Sequence, residues 1–275
     1  MVKVTKWDGG KEDFQRAKVA RTLMRVGASQ DVAGNVVDWI EGKVYDGIST
    51  KLILDMAFQR MKKYESAVSF RKDLRTALGG MRSKPEFEEY VRIVLLAHGY
   101  KVTGNQVIQG FCVTHEIDGI AEKDGKTIYL EVKSHADPHS YTPFEVTLAV
   151  KAKWDDIKEG FKRGLNNQPF DKVLIVCNTK LTEHAQKYAD CIGLEHIGWN
   201  SPPGHGLDRL IEGKRLYPTT ILKSLTDKER DSLSEHGIIT LKQLVEAKGK
   251  TVGIPKLRMT GLLEEAESIL GLYVK

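Results

Sequence analysis

A two-residue turn constrains this chain more than any other feature. Asp124-Gly125 joins the two halves of THEIDGIAEKDGKTIYLEVK, Thr114 to Lys133. Gly readily takes the positive φ that a primed turn needs, so the stretch predicts an antiparallel hairpin. A turn of two residues pairs Lys123 with Lys126 and sets Asp118 directly opposite Glu131. Lys133 shares the face of Glu131, roughly 7 Å along the strand, and falls opposite Glu116. The other face reads Ile117, Ala121, Ile128, Leu130 and Val132. One side of the predicted hairpin is core, and the other carries two carboxylates and an ammonium.

Like charges set opposite one another destabilise a sheet, so folding alone does not recommend Asp118 against Glu131. A hard divalent cation reverses that penalty, because Mg²⁺ prefers oxygen ligands. The alternative is an exposed sheet face on which Lys133 merely neutralises one acid. Glu-x-Lys occurs four times in the chain, at Glu41, Glu131, Glu212 and Glu246. Only the second lies in an alternating β-branched and aromatic run with an acid on the preceding strand.

A third acid lies upstream. Pro85 opens a predicted helix, PEFEEYVRIVLLAHGY, which Gly99 stops. At about 100° per residue, Phe87, Val91, Val94, Leu95 and His98 form one stripe, with Glu88 on its border and Glu89 pointing away. Glu88 can then look toward the sheet; otherwise it is a first-turn acid favoured by the helix dipole.

These residues resemble a family. Phe87-Glu88 on a helix, Gly99-Tyr100-Lys101-Val102 after it, Asp118, and Glu131-Val132-Lys133 are similar to the Mrr-like restriction endonucleases of the PD-(D/E)xK nuclease superfamily. The resemblance runs over roughly residues 83–200 and continues through DKVLIVCNTKLTEHAQKYADCIGLEHIGWN, with Cys177-Asn178-Thr179 where many relatives are rich in threonine or serine. It implies an α/β (α+β) fold with a restriction-endonuclease-like mixed β-sheet core flanked by helices. It further implies that Asp118 and Glu131 hold Mg²⁺ or Mn²⁺, that Glu88 completes the metal environment, and that Lys133 orients the water or stabilises charge on the phosphate. The catalytic set is then Glu88, Asp118, Glu131 and Lys133.

Beyond the hairpin, a helix predicted from about Pro143 to Gly164 carries Lys151, Lys153, Lys158, Lys162 and Arg163. These cations either line a phosphate backbone or form a solvated surface. His135 and His139, with Asp137 between them, do not have the spacing of a zinc signature.

The first eighty residues form a different unit. A short strand at Val2 to Trp7 meets a turn at Asp8-Gly9-Gly10, and the pattern from Phe14 to Arg75 is helical. Val19, Leu23 and Val26 line one face; Ile53, Ala57 and Met61 line a later one. Val4-Thr5-Lys6-Trp7-Asp8-Gly9, Phe14, Lys18-Val19, Tyr64 and Arg71 make residues 1–80 resemble an ATP-cone, although Trp7 stands where that family is usually basic. The resemblance implies ATP or dATP as an effector, with Lys6 and Lys18 on its phosphates. A plain helical accessory domain is the alternative. Gly125-Lys126-Thr127 and Gly249-Lys250-Thr251 imitate a P-loop, but Ile120 and Leu244 occupy its first glycine position.

After the loop-rich NSPPGHGLDRLIEGKRLYP, residues 217–275 predict a small helical domain. Gly237-Ile238-Ile239 and Gly253-Ile254-Pro255 resemble the turns of helix-hairpin-helix elements, which grip DNA phosphates through amides at helix starts. A packing or dimerisation domain reads almost as well. Three cysteines, Cys112, Cys177 and Cys191, lack paired zinc spacing and predict reduced, buried thiols in a cytoplasmic protein. No apolar run is long enough for a membrane span, and a net charge of +5 permits nucleic-acid binding without demanding it.

The expected activity is that of an Mg²⁺-dependent endodeoxyribonuclease, of the Mrr-like (type IV) restriction or DNA-repair kind, gated by nucleotide and acting as a homodimer. The rival is a nucleotide-responsive DNA-binding regulator that keeps an inactive nuclease fold.

Overall fold

The computed structural model describes residues 2–6, 9–25, 28, 30–61, 74–247 and 253–271. The chain forms two compact units, Met1–Asp73 with Glu264–Lys275, and Leu74–Leu263.

In the first unit, strand β1 (Lys3–Thr5) pairs antiparallel with β2 (Lys11–Asp13), Val4 opposite Glu12. The sequence pattern contains the first strand and the turn but not the return strand. Lys11-Glu12-Asp13 is wholly charged, and only pairing with β1 makes it extended. Helices α1 (Arg16–Arg25), α2 (Gln30–Glu41) and α3 (Thr50–Met61) follow. Val19 and Leu23 recur at four-residue spacing, as do Ile53, Ala57 and Met61, and these stripes pack with Val4, Val36, Val37 and Ile40 into one core.

The second unit begins with α4 (Leu74–Gly79) and a π-helical turn, Ser83–Phe87, that leads into α5 (Glu88–Ala97). Gly99, at φ +83°, takes the left-handed backbone that ends the helix. Strands β3 (Lys101–Thr103), β4 (Gln106–Gln109), β5 (Thr114–Ile117), β6 (Gly119–Lys123) and β7 (Lys126–Lys133) come next. Then follow β8 (Tyr141–Thr142), α6 (Phe144–Lys162), β9 (Lys172–Cys177), β10 (Lys180–Leu181), α7 (Glu183–Ile192) and β11 (Glu195–Ile197). Helices α8 (Leu207–Lys214), α9 (Asp227–Glu235), α10 (Leu241–Ala247) and α11 (Lys256–Leu270) complete the order.

The main sheet has five strands in the order β11-β9-β7-β6-β3 and is mixed: β7 runs antiparallel to β6 and parallel to β9. Asp124 and Gly125 both have positive φ, and Lys123 pairs with Lys126, so the register matches the one derived from the turn. As the central strand, β7 is buried without interruption from Ile128 to Val132. Tyr129, Val173, Ile175 and Cys177 pack on Val150, Trp154 and Ile157 of α6 and on Ala185 and Ala189 of α7. The face that carries Glu131 is therefore mostly core, contrary to the expected division into one apolar and one polar side.

A second departure concerns β5. The paired ladder of β6 and β7 ends at Gly119 opposite Leu130, and the chain bends at Asp118. Strand β5 then pairs with β4 as a separate two-stranded ribbon, Glu116 opposite Val107. Glu116 thus does not pair with Lys133, and Ile117 joins the core on the side of Tyr129 rather than that of Ala121 and Ile128. Next to the bend, Gly119 lets β3 approach closely: a Cβ there would lie 2.7 Å from the Thr103 carbonyl oxygen.

Residues after the nuclease-like core pack back onto it within the same unit. Tyr90 Oη donates to the Leu216 carbonyl at 2.7 Å, Thr220 Oγ1 to the Ala77 carbonyl at 2.8 Å, and Arg82 meets Asp231 at 2.7 Å.

Candidate acid site and lysine pair

Asp118, Glu131 and Glu88 are buried carboxylates, with 6%, 3% and 3% of their surface exposed. The bend after β5 aims Asp118 at the neighbouring strand, and its Oδ2 accepts from the Val132 N–H at 2.7 Å. Burial pushes its carboxyl above the usual range. The charges of Glu131 and Glu88 add to that shift, against the opposing Val132 hydrogen bond and the charge of Lys133. Burial thus outweighs the groups that favour the charged form of Asp118.

Glu131 is better supplied. Burial raises its pKa, but Lys133, Tyr129 and Lys153 outweigh it, and the net direction is down. Lys133 Nζ lies 2.7 Å from Oε1, Tyr129 Oη donates to Oε2 at 2.5 Å, and Lys153 Nζ stands 3.6 Å from Oε2. Tyr129 and Lys133 reach it because residues two apart on a strand share a face. Lys153 comes from α6.

Glu88 starts α5 and faces inward, while Glu89 turns outward to Arg92. The nearest cation to Glu88 is Lys84, whose ammonium is 3.2 Å from Glu88 Oε1, 3.4 Å from Glu116 Oε1 and 3.5 Å from Asp118 Oδ1. Partial burial works against the charge on Lys84, yet the three acids hold its pKa above the ordinary value.

Sequence reasoning singled out Glu88, Asp118, Glu131 and Lys133, and it missed Lys84 and Tyr129. Spacing could have found Tyr129, at i−2 from Glu131, but not Lys84, whose backbone is extended ahead of Pro85 and outside the predicted helix. Lys153 was one of five cations on a predicted basic helix. The others are differently engaged: Lys151 pairs with Asp155, Lys158 lies over the Trp154 ring at 4.5 Å, and Lys162 and Arg163 meet Glu159.

The donor set suits a hard cation, since it offers carboxylate oxygens, two of them already bridged by an ammonium. Among the described residues no three His, Cys, Asp or Glu side chains stand close enough together to form a ready metal cluster. His135 and His139 do not converge, because His135 Nε2 lies 3.1 Å from Thr142 Oγ1 and His139 Nδ1 lies 3.2 Å from Arg75. Asn178, fully buried after β9, holds the loop that follows Lys133: its Oδ1 accepts from the His135 N–H and its Nδ2 donates to the His135 carbonyl. All three cysteines are free. Cys177 is buried, which pushes its thiol up to about 11, whereas Cys112 and Cys191 are exposed, contrary to expectation.

In the first unit, Lys6 and Lys18 converge on one oxygen, with Glu12 Oε2 3.3 Å from Lys6 Nζ and 2.8 Å from Lys18 Nζ. Lys18 also lines a cavity of about 180 Å³ with Val4, Phe14, Val19, Ile53 and Leu54. Trp7, Tyr64 and Arg71, and Val26 on the predicted helical face, lie outside the described residues.

In the C-terminal region, Gly237 and Gly253 have positive φ, as their turns require. The Ile239 and Thr240 amides at the start of α10 both donate to Gln243 Oε1, so they are satisfied within the chain.

Comparison with known proteins adds two domain assignments. Residues 81–197 match a family described as restriction endonuclease, and residues 217–270 match the family AF1548-like, C-terminal. A solved structure described as a protein of unknown function, AF1548, is 32% identical and superposes with a TM-score of 0.58 over 68% of this chain and 97% of its own. The chain belongs to the AF1548 family. An uncharacterized protein of Archaeoglobus fulgidus is 36% identical over 183 residues, 65% of this chain and 98% of the relative. The five-stranded mixed sheet with flanking helices is that of a restriction-endonuclease-like nuclease domain. No described helix is long and apolar enough to cross a membrane.

Proposed function

We propose that this AF1548-family protein is a metal-dependent endonuclease that hydrolyses DNA phosphodiester bonds, with Glu88, Asp118, Glu131 and Lys133 as its site. The observation that carries the reading is the burial of Asp118 beside Glu131 inside the domain matched to restriction endonucleases. Folding gains nothing from such a pair, and a divalent cation would relieve it.

Bound there, Mg²⁺ or Mn²⁺ would supply charge neutralisation on the phosphate and a more acidic water. Asp118, Glu131 and Glu88 would hold it. The Val132 N–H on Asp118 and the Tyr129 hydroxyl on Glu131 fix one oxygen of each acid and so set the direction of the other. Lys133 and Lys153 bring two ammoniums to the same acid, where they can stabilise charge that develops on a phosphate.

We further propose residues 1–80 as a nucleotide-sensing domain, in which the phosphates of ATP or dATP displace Glu12 from Lys6 and Lys18. We propose residues 83–200 as the nuclease domain and 217–275 as a small helical, helix-hairpin-helix-like domain. Because one such site cuts one strand, double-strand cutting calls for a homodimer.

The test is cleavage of supercoiled plasmid in Mg²⁺ or Mn²⁺ against EDTA, with Asp118→Ala in parallel. Metal-dependent nicking or linearisation that the variant loses is the expected result. Intact plasmid in every lane, with and without ATP and dATP, overturns it. Tight DNA binding in EDTA without cleavage under any metal would point instead to a regulator on an inactive nuclease fold.

A further inference from the structure

Lys84 stands four residues before Glu88, and its ammonium reaches three carboxylates, Glu88, Glu116 and Asp118, at 3.2, 3.4 and 3.5 Å. Glu88 and Asp118 are buried and cannot turn to solvent, whereas the Lys84 side chain is 59% exposed. The anions are fixed and the cation is free to leave along its flexible four-carbon stem. Lys133 and Lys153 do not fill this place, since both ammoniums lie against Glu131.

We infer that Lys84 is a placeholder cation, which neutralises Asp118 and Glu88 until a divalent ion arrives and withdraws when it does. The inference rests on the metal-binding reading of these two acids. The open oxygen of Asp118, Oδ1, is the one that faces Lys84, since Oδ2 is taken by Val132. An ammonium and a metal ion cannot share that side of the oxygen, so binding of one opposes binding of the other. Lys84 acts on the ion by competition and is a positioning residue.

The test is titration of Mn²⁺ into the DNA-free protein, followed by calorimetry or by the electron paramagnetic resonance signal of free Mn²⁺. Lys84→Met is expected to bind Mn²⁺ about tenfold more tightly than the natural chain, equivalent to roughly 1.4 kcal/mol. Lys84→Arg keeps the charge and should stay near the natural affinity. In EDTA, Lys84→Met should melt below the natural chain, and added Mn²⁺ should raise its Tm by more. Should Lys84→Met fail to fold, Lys84→Gln removes the same positive charge while keeping a polar end, and its affinity for Mn²⁺ should rise in the same direction. Equal affinity in the natural chain and in the folded charge-removing variant of Lys84, with binding lost in Asp118→Ala, overturns the placeholder and leaves the metal site standing. Absence of Mn²⁺ binding in every protein overturns both.

Discussion

The acid site of the nuclease domain and the lysine pair of the first unit are built from the same groups in opposite proportions. At the end of β7 three carboxylates are buried, and the ammoniums that reach them come from Lys84, Lys133 and Lys153. At β1 and α1 a single carboxylate, Glu12, sits between two ammoniums near solvent. Burial makes the difference. Desolvated charges must be compensated, so a buried acid such as Asp118 is a site of high electrostatic cost. Two exposed lysines on one glutamate cost little, and an ordinary surface ion pair contributes only about 0–1 kcal/mol. The buried acids together with the restriction-endonuclease match support the proposed reading of the acid site, while the lysine pair needs a ligand to distinguish it from a surface network.

The strongest way to break this contrast is to exchange single residues and watch DNA cleavage. Asp118→Ala is expected to lower the rate by at least about a hundredfold, the scale of losing one electrostatic partner of a transition state. Lys6→Ala with Lys18→Ala should leave nucleotide-free cleavage unchanged. Comparable losses from both would mean that the two regions do not have separate roles. Lys153→Ala sharpens the acid-site half: cleavage should fall by about tenfold, against less than about twofold for Lys162→Ala on the same helix. Equal effects would return Lys153 to the solvated surface.

For the lysine pair, equilibrium binding of ATP and dATP is the relevant measurement. Removal of both ammoniums should weaken it by about tenfold or more, since even one charged hydrogen bond contributes roughly 1.5–3 kcal/mol. No binding by the natural chain would reduce the pair to a surface network.

The smallest effect concerns an acid outside both places. The Cys112 N–H, with His115 and the Val113 N–H, holds the Asp156 carboxyl at about 2, below its ordinary 3.8, and pins the ribbon of β4 and β5 to α6. A lowered folded pKa means that the contribution is complete above the ordinary value and fades as pH falls from 3.8 through about 2. The difference in urea midpoint between the natural chain and Asp156→Asn should therefore be full at pH 5 and shrink toward pH 2. A constant difference would show that the charge on Asp156 does not hold the ribbon.

Local pattern made a good part of this legible. The Asp124-Gly125 turn set the register of β6 on β7, because a two-residue loop leaves only one pairing. Period 3.6 from Phe87 to Leu95 marked the buried stripe of α5, and Glu88 on its border is buried while Glu89 is not. The break at Asp118 was not legible. THEID continues the alternation of the hairpin, with the following Gly119 as its one local irregularity, and the pairing of β5 with β4 depends on a strand that local pattern does not name. Cys191 was expected inside by residue type, yet only neighbouring elements decide which side of α7 is covered, and it is exposed.

The amino-acid sequence by itself determined the helix of Glu88, the hairpin register and the identity of the acids, since these depend on backbone preference and on spacing along one segment. The tertiary structure alone decided that Lys153 turns to Glu131 while its helical neighbours do not, and that Lys84 meets Asp118 and Glu116 from 34 and 32 residues away. Such meetings follow from how helices pack on a sheet, and a charge carries no local pattern that names its partner in space.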